Sequence, residues 1–172
     1  MTAKIALIAS AALLASGVAS AADGPTDPQI AHIAYTAGSL DIEAGKLALQ
    51  KSKNASVREF ASEMVRDHAA VNEKALALVT KLGVTPEPNA TSEGLTKQAD
   101  EMRAKLAKLN GKAFDRAYVA NEVAYHNTVN GALKTALIPS ADNGELKSLL
   151  ETGLTLFSEH QKHAEHLSAS LK

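Results

Sequence analysis

Residues 56–83 read SVREFASEMVRDHAAVNEKALALVTKLG. Val57, Phe60, Met64, Val71, Ala75 and Leu78 recur at steps of three, four and seven, which puts them on one face of a 3.6-residue helix and not on alternate faces of a strand. Ser56 and Glu59 have capping-box spacing at its start. Gly83, followed by Pro86 and Pro88, ends it. The stretch therefore predicts a long amphipathic helix to about Leu82. One polar residue, His68, falls on its apolar stripe, four after Met64 and three before Val71.

The same periodicity extends in both directions. Upstream, Asp27 and Pro28 read as an N-cap and first helical position, opening a helix to about Lys53 with Ile30, Ile33, Ala37, Leu40, Ala44 and Leu47 on its stripe. Downstream, a helical segment over about 92–109 carries Leu95, Met102, Leu106 and Leu109 before Asn110-Gly111 interrupts it. A third long helix spans about 112–137 and ends at Pro139, and Asp142-Asn143-Gly144-Glu145 can cap a fourth to about Leu171. Leu146, Leu149, Gly153, Phe157, Ala164 and Leu167 form the inward face of that fourth helix. No run of alternating β-branched residues competes. The expectation is all-α: a ferritin-like up-down-up-down four-helix bundle with an extra helical segment between helices two and three. A coiled-coil oligomer is the alternative and leaves a homodimer open, but the breaks at Asn54, at 83–88 and at Pro139 favour folding back. Phe60, Met64, Leu106, Phe114, Tyr118 and Phe157 are the bulkiest stripe residues and are expected to be buried.

Composition agrees. Of 172 residues 45% are hydrophobic but only 3% aromatic, so the core rests on Ala, Leu, Val and Ile, of which Ala and Leu favour helix most. The net charge of -1 gives no electrostatic reason to expect nucleic acid or an anionic membrane as partner. The chain has no cysteine, which excludes disulfide and thiol chemistry. At the N-terminus Lys4, an apolar run from Ile5 to Val18 and Ala19-Ser20-Ala21 have the form of a cleaved signal peptide. The expected organisation is a signal peptide over 1–21 and a helical domain over 22–172, exported to a bacterial periplasm, with no membrane span after cleavage.

Polar residues on the stripes are the candidate site. Beside His68 there is His126, seven after Val119, and His160, three after Phe157. On helix one the candidate is Glu43, three after Leu40 and four before Leu47. Asp67 adjoins His68, and Glu122 lies one turn before His126. At ~1.5 Å per residue, Glu43 and His68 fall roughly 16 and 20 Å below the turn near Asn54, and His126 and His160 roughly 20 and 28 Å below the turn near Ser140. Imidazoles and carboxylates from facing helices are how bundles hold zinc, copper(II), nickel or iron. The bland reading is that each histidine is a hydrogen-bonded core residue. The Glu-x-x-His spacing of di-iron bundles is absent: Val65, Val123 and Phe157 stand three before the three histidines. Ferritin-type oxidase chemistry is thereby disfavoured, and an enzyme is not the leading expectation. His32, His163 and His166 form a second, weaker candidate set. There is no nucleophile elbow and no phosphate-cradling glycine loop.

Phe60-Ala61, Met64-Val65, Asp67-His68, Gly111, Phe114-Asp115, Tyr118, His126 and His160, with Glu43-Ala44-Gly45-Lys46-Leu47-Ala48 on helix one, resemble the family called domain of unknown function 4142. The resemblance covers nearly the whole of residues 22–172. It implies an exported bacterial protein with a ferritin-like fold, and its recurrent histidines fall on His68, His126 and His160. The stretch Leu154-Thr155-Leu156-Phe157 departs from the pattern in lacking a proline upstream of His160. The functions to be weighed are a periplasmic metal-binding or metal/envelope-stress protein, a structural or binding module of the envelope without metal, and a metal-dependent oxidase.

Overall fold

The computed structural model describes residues 24–171, and the segment 1–21 expected to be a signal peptide lies outside them. Five long helices carry the described residues: α1 (Asp27–Lys51), α2 (Ala55–Leu82), α3 (Ala90–Ala107), α4 (Gly111–Ala132) and α5 (Gly144–Ser170). Their ends follow local chemistry, with small changes from the sequence reading. Thr26 is the N-cap of α1, so Asp27 sits in the first turn, where its carboxylate accepts from the Asp142 and Asn143 amides at 3.0 and 2.9 Å. Asn54 caps α2, accepting from the Val57 amide at 3.2 Å, which leaves the expected Ser56–Glu59 box inside the first turn. Asn143 caps α5 through the Glu145 and Leu146 amides. Gly83 ends α2 at φ +65°, the left-handed region that glycine enters without penalty.

Pro139 does not end α4 at Leu137. The helix widens into a π turn over Leu133–Leu137 and continues through Ile138–Ser140. Proline lacks an amide hydrogen and its ring collides with the carbonyl four residues back, so an α-helical path through Thr135 is blocked. The wider turn, in which the Ile138 amide reaches the Leu133 carbonyl, avoids the collision.

Successive helices reverse direction, and the alternation runs through all five. The Lys51 ammonium donates to the Ala107 carbonyl, and Asn89 donates to the Gln29 carbonyl, so α3 runs the full length of the molecule along α1. The bundle of the expected four-plus-one arrangement consists of α1, α2, α4 and α5, with α3 outside it as the return connection. Because α3 takes one of the reversals, α2 and α4 run parallel to one another, as do α1 and α5. The α1–α2 turn thus lies at the opposite end from the α4–α5 turn. This is the single long crossover of ferritin-like bundles.

The core divides into three layers. At the α1–α2 turn Val57, Phe60, Met64, Leu106, Phe114 and Tyr118 pack together. At the other end are Ile30, Ile33, Leu133, Leu146, Leu150 and Phe157. All six bulky residues expected inside are buried. Leu150, not Leu149, is the buried member of its pair. Between the apolar layers lies a polar one formed by Asp41, His68, Glu122, His126 and His160. Helix α1 approaches α2 closely here: a Cβ on Gly45 would meet Val65 Cγ2 at 2.9 Å and the Ala61 carbonyl at 3.1 Å. Tyr125 ties α4 to α1 by donating to the Ala37 carbonyl at 2.9 Å. Among the described residues Leu76 is the only large hydrophobic residue left exposed. No described helix is long and apolar enough to cross a membrane.

Candidate metal centre

Each helix of the bundle contributes to the polar layer: Asp41 from α1, His68 from α2, Glu122 and His126 from α4, His160 from α5. Since α1 and α5 end where α2 and α4 begin, heights are measured from that shared end. Asp41, His160, His68 and His126 then lie roughly 15, 16, 20 and 22 Å from it. The offset of one to two turns expected for His160 disappears, because it came from placing both turns at one end.

The three imidazoles form a nearly equilateral triangle, with ring centroids 5.7 Å (His68–His126), 5.4 Å (His68–His160) and 5.6 Å (His126–His160) apart. All are 3% exposed or less. One nitrogen from each lies within 4.8 Å of the others. Modest side-chain rotation brings that spacing to the ~3.4 Å between ligands of a tetrahedral ion at ~2.1 Å. Asp41 Oδ2 sits between two of the rings, 3.0 Å from His68 Nε2 and 3.4 Å from His126 Nε2. Glu122 Oε2 is 3.8 Å from His126 Nδ1, and Asp41, Glu122 and His126 also bring one donor atom each within 4.8 Å.

The Asp41 Oδ2–His68 Nε2 approach at 3.0 Å is the close pairing inside the layer, and it is not aligned as a full hydrogen bond. Both oxygens of Asp41, both of Glu122, both nitrogens of His68, His126 Nε2 and His160 Nδ1 are buried and have no aligned hydrogen-bond partner. Buried polar atoms left so carry a desolvation penalty of roughly 1–3 kcal/mol each. A cation at their common centre would relieve it, so the residues fit a metal ion.

The outer hydrogen bonds leave one nitrogen of His126 and of His160 free toward the layer. The Glu122 carbonyl lies 3.0 Å from His126 Nδ1 and accepts its proton, which leaves the Nε2 lone pair facing Asp41 and His68. Asp67 Oδ2 lies 3.1 Å from His160 Nε2 and turns the Nδ1 lone pair free in the same way. Burial pushes the His126 pKa from 6.5 down to about 4, against the opposing Asp41 charge, and lowers that of His160 too. Burial alone would raise the Asp41 carboxyl, but His68 foremost, with His126 and Glu122, brings it below its usual value. Glu122 goes the other way: burial first, then the Asp41 charge, hold it well above the carboxylate range. The metal-free layer thus favours neutral His126, the ionised form of Asp41 and the protonated form of Glu122.

Not every sequence candidate joins the layer. Glu43 is exposed and ion-pairs with Arg103 of α3; the carboxylate that α1 supplies to the layer is Asp41. Asp67 is at the edge, held by Arg66 at 2.7 Å, and orients His160 from outside. With Glu63 it makes a peripheral group around His160, but Glu63 is already paired with His163 at 2.7 Å, so an ion-pair network accounts for it. His32, His163 and His166 do not assemble. His32 lies near the start of α1, beside Thr36, whereas His163 and His166 lie near the end of α5, and α1 and α5 run parallel.

Solved structures share this fold at low identity. A DUF305 fragment from Deinococcus radiodurans matches with a TM-score of 0.70 at 11% identity, over 87% of this chain and 99% of that one. A DUF305 protein from Streptomyces coelicolor, described as secreted, matches with a TM-score of 0.69 at 13% identity, over 83% and 91%. CopM in its Cu(II)-bound form matches with a TM-score of 0.66 at 14% identity, over 87% and 99%. No curated protein matches the chain. The sequence profile described as domain of unknown function (DUF4142) matches residues 13–167, so the layer of three histidines and two carboxylates belongs to a member of the DUF4142 family.

Proposed function

We propose that this chain is an exported metal-binding protein of the bacterial envelope, holding one divalent transition-metal ion through His68, His126, His160 and Asp41, with Glu122 beside them. One observation carries the proposal: buried donor atoms from four helices converge at mid-height and lack aligned hydrogen-bond partners. Three imidazoles with a carboxylate suit copper(II), zinc or nickel more than a hard cation. Copper(II) is the first ion to test, since a protein of the same fold carries it. Asp67 and the Glu122 carbonyl act as orienting groups, so their removal weakens binding without removing a ligand. The signal-peptide form of residues 1–21 and the secreted description of the Streptomyces coelicolor relative support export.

Calorimetric titration of copper(II), zinc and nickel into chelator-free wild type and His126→Ala tests the reading, together with metal analysis of untagged protein from periplasm. One equivalent should bind wild type, and His126→Ala should lose most of the affinity. Equal binding by both proteins removes the central site.

A further inference from the structure

An ion bound at the centre has to reach donors that are 3% exposed or less. Three of the four seams between neighbouring bundle helices are closed by the bundle itself. Gly45 brings α1 hard against α2. His68 and Asp67 of α2 meet Phe157 and His160 of α5. The Asn130 amide of α4 donates to the Phe157 carbonyl and the Gln161 side chain of α5. The fourth seam, between α1 and α4, is crossed by the Tyr125 hydrogen bond to Ala37 and covered by α3. A cavity of ≈ 180 Å³ lies there, with Asp41 and Glu122 in its lining on the bundle side and Gln98, Met102 and Arg103 on the α3 side. The donor oxygens of Asp41 and Glu122 are themselves closed off, so an ion in the cavity meets them only when a wall moves.

Helix α3 is the wall least held in place. Of its 18 residues only Ser92 and Leu106, near its two ends, are buried, whereas each bundle helix buries seven or more. The ends are tied, by Asn89 to the Gln29 carbonyl and by Lys51 to the Ala107 carbonyl, and the stretch between them spans the cavity. There Arg103 ion-pairs with Glu43 of α1 and Asp100 of its own turn, all three partly exposed. A segment with few buried contacts opens locally at low cost, and an ion pair between exposed side chains adds little to hold it. The lining also suits a cation in passage: Met102 offers a thioether, and Gln98 and Asn121 offer amide oxygens. A larger cavity that also reaches Asp41 is lined mostly by aliphatic side chains, which leave a dehydrating ion without partners.

We propose that α3 is a lid over the α1–α4 seam, latched by Arg103 on Glu43, and that the ion enters and leaves the central layer beneath it. The inference rests on the metal reading and adds the route to it. The chain has no cysteine, so Glu43→Cys/Arg103→Cys can be bridged by a short bismaleimide, with the same variant capped by N-ethylmaleimide as its reference. Lys81→Cys/Glu145→Cys, bridged likewise between α2 and α5, is the control away from the lid. Stopped-flow mixing gives the rates of copper(II) uptake and of release to EDTA. The α3 bridge should slow both about tenfold or more and leave the affinity unchanged, while the control bridge alters neither rate. Arg103→Gln, an exposed change that needs no crosslink, should speed both uptake and release by roughly two- to fivefold. Faster uptake alone would show only a lost positive charge and no latch. In EDTA the amides of residues 95–103 should exchange hydrogen about tenfold or more faster than those of α1 beneath them, and the α3 bridge should slow them. Unchanged rates in the α3-bridged protein, equal slowing by the control bridge, or equal protection of α3 and α1 overturns the route while leaving the centre intact. Capped protein and wild type that take up no copper(II) remove the metal reading, and the route falls with it.

Discussion

Acidifying the metal-free protein loads its polar layer at a known point. His126 is 1% exposed, and burial takes its pKa from 6.5 to about 4. Above pH 6.5 the ring is neutral in the folded and unfolded chain alike, and its titration does not alter stability. Between pH 6.5 and 4 the unfolded chain takes up a proton that the folded chain refuses, so stability falls as pH falls. At ~1.4 kcal/mol per pH unit, the gap between 6.5 and about 4 amounts to about 3 kcal/mol, a large share of the roughly 5–15 kcal/mol that holds a domain folded. His160 adds to the loss in the same direction. Urea denaturation from pH 8 to pH 4 in EDTA, on wild type and His126→Gln, isolates the term. The difference in unfolding free energy between the two should be constant above pH 6.5. It should then move by about 3 kcal/mol against wild type as pH reaches 4. Parallel profiles would show that the folded protein protonates His126 freely and that burial does not control it.

Glu122→Gln should show the opposite pH dependence: its carboxyl keeps in the fold a proton that the unfolded chain releases above pH 4.5, so wild type loses stability relative to the variant as pH rises, by up to ~1.4 kcal/mol per unit. A constant offset between pH 5 and 8 refutes that. Phe157→Ala should destabilise by about 3–5 kcal/mol in denaturant titration, because the ring fills the core and stacks on His68 at 4.5 Å; a loss near zero would mean the ring is not a core element. Gly38→Ala should lower the melting temperature although alanine is the better helix former by ~1 kcal/mol. The new Cβ overlaps Asn72 Oδ1, and the amide must leave Tyr35 and Ser39; an unchanged or raised melting point argues against this packing.

The helices were legible because their stripes are long and their boundaries are chemical: the stop at Gly83, the Asn110-Gly111 break, and the cap at Asn143 that starts α5. The three histidines were legible for the same reason, each standing at stripe spacing among large apolar residues. Asp41 was not. It shares its face with Ala37, Gly38, Ala44, Gly45 and Ala48, and small residues give a weak apolar signal even though they are all buried. Reading that run as a close-contact stripe, wide because α1 packs against both α2 and α3, finds Asp41 and leaves Glu43 for the α3 side. The direction of the bundle helices was hidden in α3. Read as a short insertion, it leaves α2 and α4 antiparallel; read as a helix as long as the bundle, it makes them parallel. The π turn has a cause in Pro139, but periodicity alone does not tell a widened turn from an ending.

The donors of the central layer stand far apart in the chain, at 41, 68, 126 and 160, and each is on a different helix. No hairpin holds more than two of the four helices. A nascent or partly docked chain therefore offers an ion at most a fragment of the set, with single imidazoles that bind weakly and exchange. On the proposed reading, capture becomes tight only once all four helices have closed. If the chain is exported unfolded, as proposed, loading would take place in the compartment where folding finishes, and the ion would be drawn from that compartment's supply.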